Sequence, residues 1–247
     1  MLAFARSDDY AVGMKLSAFA VALLIVCAVS ARADLTIVQN VEGGGPITKM
    51  TIKIKGDQTR IDPSPEVSTI INNKTGDMLN LMNGQKKYLR LSGDKAKAVA
   101  EMAAKAGQKK AVGEKPKLVR TGKKETINGY EAEEYTCEAE GFKASYWFST
   151  TYPDAANIMK QLQAMTPAAW NIGAQNMPDY RDFPGLPLRS DLTIEGKHVV
   201  TTIASVTQDP ISDAEFAPPA GFEEMKVPDL GSMLGGKQET AKPKKDK

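Results

Sequence analysis

The sequence predicts an α+β protein, mostly β: a curved antiparallel sheet with two helical insertions. Three observations carry that expectation. Apolar and polar residues alternate through a series of short runs, the signature of half-buried strands. Turn-forming residues separate those runs at Gly56-Asp57, Asn83-Gly84 and Gly196. Two stretches, 95–106 and 153–165, repeat their apolar residues at helical spacing instead.

The strands begin with "DLTIVQNVEG" and "PITKMTIKIKGDQTRID". In the second, Ile47, Met50, Ile52 and Ile54 mark one side, with a slip near Thr48. Lys55-Gly56-Asp57-Gln58 reads as a hairpin turn because glycine accepts the positive φ such turns need. "VSTIINN", "DMLNLMN" and "KKYLRLS" continue a meander, split at Lys74-Thr75-Gly76-Asp77 and at Asn83-Gly84-Gln85. Asp94 is placed to cap a helix over 95–106, with Val99, Met102, Ala103 and Ala106 on one thin face. A polar connector, 107–117, follows it.

Strands resume at Leu118. In "INGYEAEEYTCEAEG", a β-bulge at Glu133-Glu134 would bring Tyr130 and Ala132 onto the same side as Tyr135, Cys137 and Ala139. Glu131, Glu138 and Glu140 then face water. Arg120, Lys123 and Lys124 of the preceding run are expected cross-strand partners for these carboxylates. In "GFKASYWFST", Phe142, Ala144, Tyr146 and Phe148 share one face, and Lys143, Ser145, Trp147 and Ser149 the other. Pro153 suits the first turn of a second helix whose apolar stripe is Ile158, Met159, Leu162 and Met165. Thr166-Pro167 opens a short helix carrying Trp170. A hairpin around Glu195-Gly196-Lys197 follows, and "DPISDAEFAPPAGFEEMKV" closes the domain.

The chain predicts its own compartment. A basic start at Lys15, an apolar stretch over 16–31 and Ala31-Arg32-Ala33 have the layout of a secretory signal peptide, with Met14 as the start. That stretch is shorter than the roughly 18–20 residues a membrane span needs. The expected organisation is therefore a signal peptide over 1–33, one domain over 34–230, and a disordered basic tail over 231–247. Export to the periplasm or cell envelope of a bacterium follows, not transmembrane once cleaved. Val26 before Cys27 argues against lipidation there, because that position is normally small. Cleavage leaves Cys137 alone, with no intramolecular disulfide and the character of a buried hydrophobe.

Charge is uneven although the whole chain carries only +2. Residues 86–124 hold thirteen Lys and Arg against three acids, and residues 125–140 hold six Glu and no base. The basic run offers contact with an anionic surface, against its simpler reading as a solvated face. Aromatic residues are not interleaved with it beyond Tyr88, so nucleic-acid stacking is unsupported. The single histidine, His198, sits beside the Gly196 turn; it allows no His-pair metal site, and a Ser-His-Asp arrangement would have to use it alone. There is no G-x-S-x-G turn, no dinucleotide fingerprint and no phosphate loop. The outward glutamates diverge, which suits neither metal binding nor acid–base work. No enzyme and no cofactor is expected.

Several stretches together carry a resemblance: "KIKGDQTRID", "TIINNKTGDMLNLMNGQKKYLRL", "TGKKETINGYEAEEYTCE", "SYWFSTTYP", "GLPLRSDL" and "PISDAEFAPPAGFEEMK". In that order they resemble the bacterial family catalogued as domain of unknown function 4412. Its members are similar to the periplasmic lipoprotein carriers LolA and LolB. The resemblance implies an open half-barrel with helices across its concave side, and no catalytic residues. On that architecture Met159, Leu162, Met165 and Trp170 are the expected lining of a hydrophobic-ligand cavity under a helical cover. A lipid or lipoprotein acyl chain is the implied ligand. The alternative is a cell-envelope interaction module with a filled core.

Overall fold

The computed structural model describes residues 34–98, 101, 116–139, 141–165, 178, 180–194 and 196–226. The expected leader, Val99, Met102, Ala103 and Ala106, most of the 107–117 connector, Glu140, the short helix with Trp170, Glu195 and the tail lie outside them.

Twelve strands form a single sheet: β1 (Leu35–Glu42), β2 (Lys49–Lys55), β3 (Gln58–Ser64), β4 (Val67–Asn72), β5 (Met78–Met82), β6 (Lys87–Leu91), β7 (Val119–Ile127), β8 (Tyr130–Ala139), β9 (Phe142–Ser149), β10 (Leu186–Ile194), β11 (Lys197–Thr207) and β12 (Glu223–Met225). Their order is β12-β6-β5-β4-β3-β2-β1-β11-β10-β9-β8-β7, so β12 and β7 are edges and the sheet stays open. Every pairing is antiparallel except β12 with β6. The expected meander is present, with the sequential hairpins running outward from the β1–β11 seam.

Turn chemistry explains the registers. At the β7–β8 turn both Asn128 (φ 52) and Gly129 (φ 84) are left-handed, the requirement of a two-residue hairpin that follows the strand twist. The Asn83-Gly84 stretch instead makes a short 3-10 turn over Asn83–Gln85. Asn83 is tied to the neighbouring β3–β4 turn: its amide donates to the Pro65 carbonyl and to Ser68 Oγ, and its backbone N–H to the Glu66 carbonyl. Those bonds override the tighter hairpin.

Residues 93–98 are helical, starting before the expected Asp94 cap. Asp77 Oδ1 accepts the Gly93 N–H at 2.9 Å and so takes the capping role, leaving Asp94 inside the first turn. A Cβ on Gly93 would lie 2.0 Å from the Thr75 carbonyl oxygen, which is why glycine stands there. The second helix, α1 (Ala155–Ala164), also begins later than Pro153 suggests. Asp154 takes a left-handed φ of 55 and is the N-cap, so Pro153 lies just outside.

The core has two sides. On one, Leu35, Ile37, Ile52, Ile54, Ile61, Ile71, Met78 and Leu91 pack with Ile158, Met159, Leu162 and Met165 of the α1 segment. Each fully buried side chain of this size stabilises by about 1.5–3 kcal/mol. On the opposite face of β4 and β5, Ile70, Leu79 and Leu81 are covered by Ile211, Phe216 and Phe222 of the closing segment. Charge holds that strap in place. Lys55 Nζ meets the Ile211 carbonyl at 2.6 Å and Asp213 at 2.7 Å, while Lys53 and Arg60 both reach Glu215. A third cluster gathers Cys137, Phe142, Ala144, Tyr146 and Phe148 around Phe183.

The sheet is strongly curved. β8 and β9 lie between β7 and β10, so flat strands would put Glu125 and Arg189 about 14 Å apart. Their side chains nevertheless form a bidentate pair at 2.8 and 2.5 Å. Curling of this half brings them together, and Asn128 at the β7–β8 turn likewise reaches the Ile203 carbonyl on β11.

Candidate functional site

The glutamate-rich strand was the first place to look for chemistry, and its geometry assigns it to charge pairing. β8 and β9 keep an unbroken register from Glu133–Phe148 to Ala139–Phe142, so there is no bulge at Glu133-Glu134. The irregularity lies in the partner strand, between Arg120 and Lys124, where Gly122 takes φ 78. The apolar pattern does not show this, because β8 buries residues on both faces: Ala132 and Glu134 on one, Cys137 on the other. Glu131 pairs with Lys124 at 2.9 Å, Glu133 with Arg120 at 2.6 Å and Glu134 with Lys123 at 3.3 Å. These are the cross-strand partners the sequence indicated.

Glu134 is the unexpected member, because only 7% of it is exposed. Thr121 Oγ1 donates to its carboxylate at 2.9 Å, so the buried charge has both a hydroxyl and an ammonium partner. Glu138 pairs with Lys143 at 2.6 Å on the exposed surface. The basic run therefore ends in residues already committed to glutamates.

The nucleophile candidates are quiet. Burial pushes the Cys137 thiol up to about 11, with the Glu138 charge adding to it, so the thiolate is scarce at neutral pH. His198 Nε2 lies 2.6 Å from Asp191 Oδ1 on an exposed part of β10–β11, a surface pair with no nucleophile hydrogen-bonded to it among the described residues. Among the described residues no three His, Cys, Asp or Glu are grouped to hold a metal ion. No described helix is long and apolar enough to cross a membrane.

The expected ligand-facing residues occupy one place. Met159 (6% exposed), Leu162 (4%) and Met165 (6%) all sit inside the main core, while Trp170 lies outside the described residues. Apolar contact is what holds α1 down. Its described polar ties are Gln163 Nε2 to the Tyr180 carbonyl at 3.3 Å and Asp154 to Gln208 at 2.6 Å. The Asp154 side chain makes no capping bond to the helix backbone.

Two features had no signal in the sequence. Arg189 grips Glu125 and lies 4.7 Å over the Trp147 ring, a contact between residues distant in the chain that only curling creates. The other is a groove of about 370 Å³ between Phe216 of the strap and the ends of β3–β6.

A model of the family described as Domain of unknown function (DUF4412) matches residues 35–222. No curated protein matches this chain. Among solved structures, PNGF-II in its P21 form aligns at TM-score 0.38 and 13% identity, over 82% of this chain and 33% of that one. Its C2 form aligns at TM-score 0.39 and 12% identity, over 81% and 32%. MucB, solved in complex with MucA(peri), aligns at TM-score 0.35 and 12% identity, over 80% and 59%. This chain thus spans about a third of the length of the PNGF-II chains.

Proposed function

The chain belongs to the family described as Domain of unknown function (DUF4412), and from that premise we propose that it is a non-catalytic, exported binder of a hydrophobic ligand. The ligand class is a lipid or lipoprotein acyl chain, and the compartment is the bacterial periplasm or cell envelope. The supporting observation is how α1 is held. Ile158, Met159, Leu162 and Met165 are buried against the sheet, yet the described polar ties of this helix are two side-chain contacts near its ends. A ten-residue helix is marginal by itself in water, so its position depends on the apolar contact. An acyl chain offers the same kind of contact and can take the place of those side chains when the helix lifts. Methionine suits such a role, because its flexible thioether repacks against varied partners.

A second reading rests on a different observation. Met159, Leu162 and Met165 are at most 6% exposed, which is the burial of a filled core. A cell-envelope interaction module would keep that core closed and use its outer surfaces. A fluorescent fatty-acid probe titrated into the chain from residue 34 onward separates the two. Saturable uptake that is weakened by Leu162→Trp, which crowds the contact between α1 and the sheet, supports the carrier. No uptake, with normal unfolding behaviour, leaves the interaction module.

A further inference from the structure

We propose that the groove between the C-terminal strap and the ends of β3–β6 binds a small carboxylate carrying a short apolar body. The site is separate from the α1 face and does not depend on the reading above. Most of its lining comes from one face of the sheet and the strap, with Asp77, Ser92 and the strand ends at Met78 and Leu91 bordering it. Gln58, Ile70, Asn72, Leu79 and Arg90 share the face opposite Ile71, Met78 and Leu91, as the registers of β3 through β6 require. Phe216 closes it from above.

The division of chemistry within the groove points to the ligand. Ile70 (2% exposed), Leu79 (9%) and Phe216 (9%) give an apolar floor and wall. A volume of about 370 Å³ falls at the small end of ordinary small-molecule sites, roughly 300–1,000 Å³. Arg90 stands at the rim with more than half of its side chain exposed. Its described partners are weak: Glu224 at 3.8 Å, the Tyr88 ring at 5.8 Å, and the Asp77 charge, which interacts with it without a direct hydrogen bond. Glu224 faces Arg90 through Oε1, beyond hydrogen-bond distance, while its Oε2 accepts the Tyr88 hydroxyl at 2.8 Å. The guanidinium fork therefore retains donors, and a planar carboxylate matches them two at a time.

The acid in the groove is occupied elsewhere. Asp77 accepts the Gly93 N–H, and its carboxyl is held below the usual carboxylate range by hydrogen bonding at Thr75 and Gly93, aided by the Arg90 charge. Asp77 thus stays ionised near Arg90, which favours a single negative charge on the ligand over a dianion such as phosphate. Gln58 and Asn72 add amide groups at the same end. The strap is fixed by the lysine and arginine contacts to Ile211, Asp213 and Glu215, so the wall exists before any ligand arrives.

The test is an NMR titration of the chain from residue 34 with octanoate, with 1-octanol as the neutral control. About ten heavy atoms give an expected dissociation constant on the order of 1 mM or tighter. Octanoate should shift Ile70, Leu79 and Phe216 resonances saturably. Arg90→Gln should weaken octanoate by about tenfold while leaving 1-octanol within about twofold. Arg90→Lys, which keeps the charge but loses the fork, should fall between. Because Arg90 is half exposed, both variants retain the fold, checked by their unfolding midpoints. Octanoate shifts that map away from the groove, equal binding by wild type and Arg90→Gln, or no binding would each overturn the proposal.

Discussion

Replacing Arg189 by glutamine tests whether the curled half of the sheet is latched by its ion pair. Arg189 donates to both oxygens of Glu125, at 2.8 and 2.5 Å, and its guanidinium carbon lies 4.7 Å over the Trp147 ring. The side chains are 26% and 41% exposed, so the ion pair is discounted for solvent screening to about 1 kcal/mol. The stacking contributes about 0.5–1 kcal/mol more. Arg189→Gln should therefore destabilise by about 1.5–2 kcal/mol, or about 3–8 °C in Tm for a domain of this size. Urea unfolding followed by circular dichroism reads it directly. A cycle with Glu125→Gln should give a coupling of about 1 kcal/mol.

The same pair predicts a pH dependence. Hydrogen bonding to Arg189 is the main force lowering the Glu125 carboxyl below its ordinary value of 4.5, opposed by partial burial and helped by the Arg189 charge. A lowered folded-state value means the contribution is present above the unfolded value and is lost as pH falls through the folded one. The difference between wild type and Arg189→Gln should then be constant near neutrality and shrink below about pH 4.5. Additive single-mutant effects, or a gap that persists unchanged at pH 3, would refute the latch.

Other outcomes are as specific. Leu162→Ala removes a side chain that is 4% exposed in the main core and should cost about 2–5 kcal/mol in urea unfolding. Cys137, 3% exposed with its thiol pushed up to about 11, should resist a thiol reagent at pH 8 in the folded chain and react fully once unfolded. The Tyr146 hydroxyl is buried without a hydrogen-bond partner among the described residues. Tyr146→Phe should accordingly leave stability unchanged or raise it by about 1 kcal/mol, measured by the shift in thermal midpoint.

The meander was legible because each hairpin carries its own local instruction. Gly56, Gly129 and Gly196 stand where the turns need positive φ, and alternation then places Ile52 and Ile54 inward. The α1 stripe was legible for the same reason, since Ile158, Met159 and Leu162 recur at helical spacing. What failed was inference from one buried face. On β8 and β9 both faces are covered, so Tyr130, Ala132, Tyr135 and Cys137 needed no bulge to be reconciled. The true irregularity, at Gly122 in β7, shows only in the pairing register. The first helix start was misplaced because its cap came from outside the local pattern, Asp77 for Gly93, and the second because Asp154 takes a left-handed φ after Pro153. The groove and the Arg189–Glu125 latch were invisible because they join residues far apart in the chain, and only the strap and the curl bring them together.

Whether the α1 face carries a ligand is decided by native mass spectrometry of the chain from residue 34, purified from a periplasmic extract. The expected result is an added mass that organic extraction identifies as lipid, diminished in Leu162→Trp while an Arg90→Gln variant keeps it. A clean apo mass that also takes up no fatty-acid probe would contradict it and leave the filled-core interaction module standing.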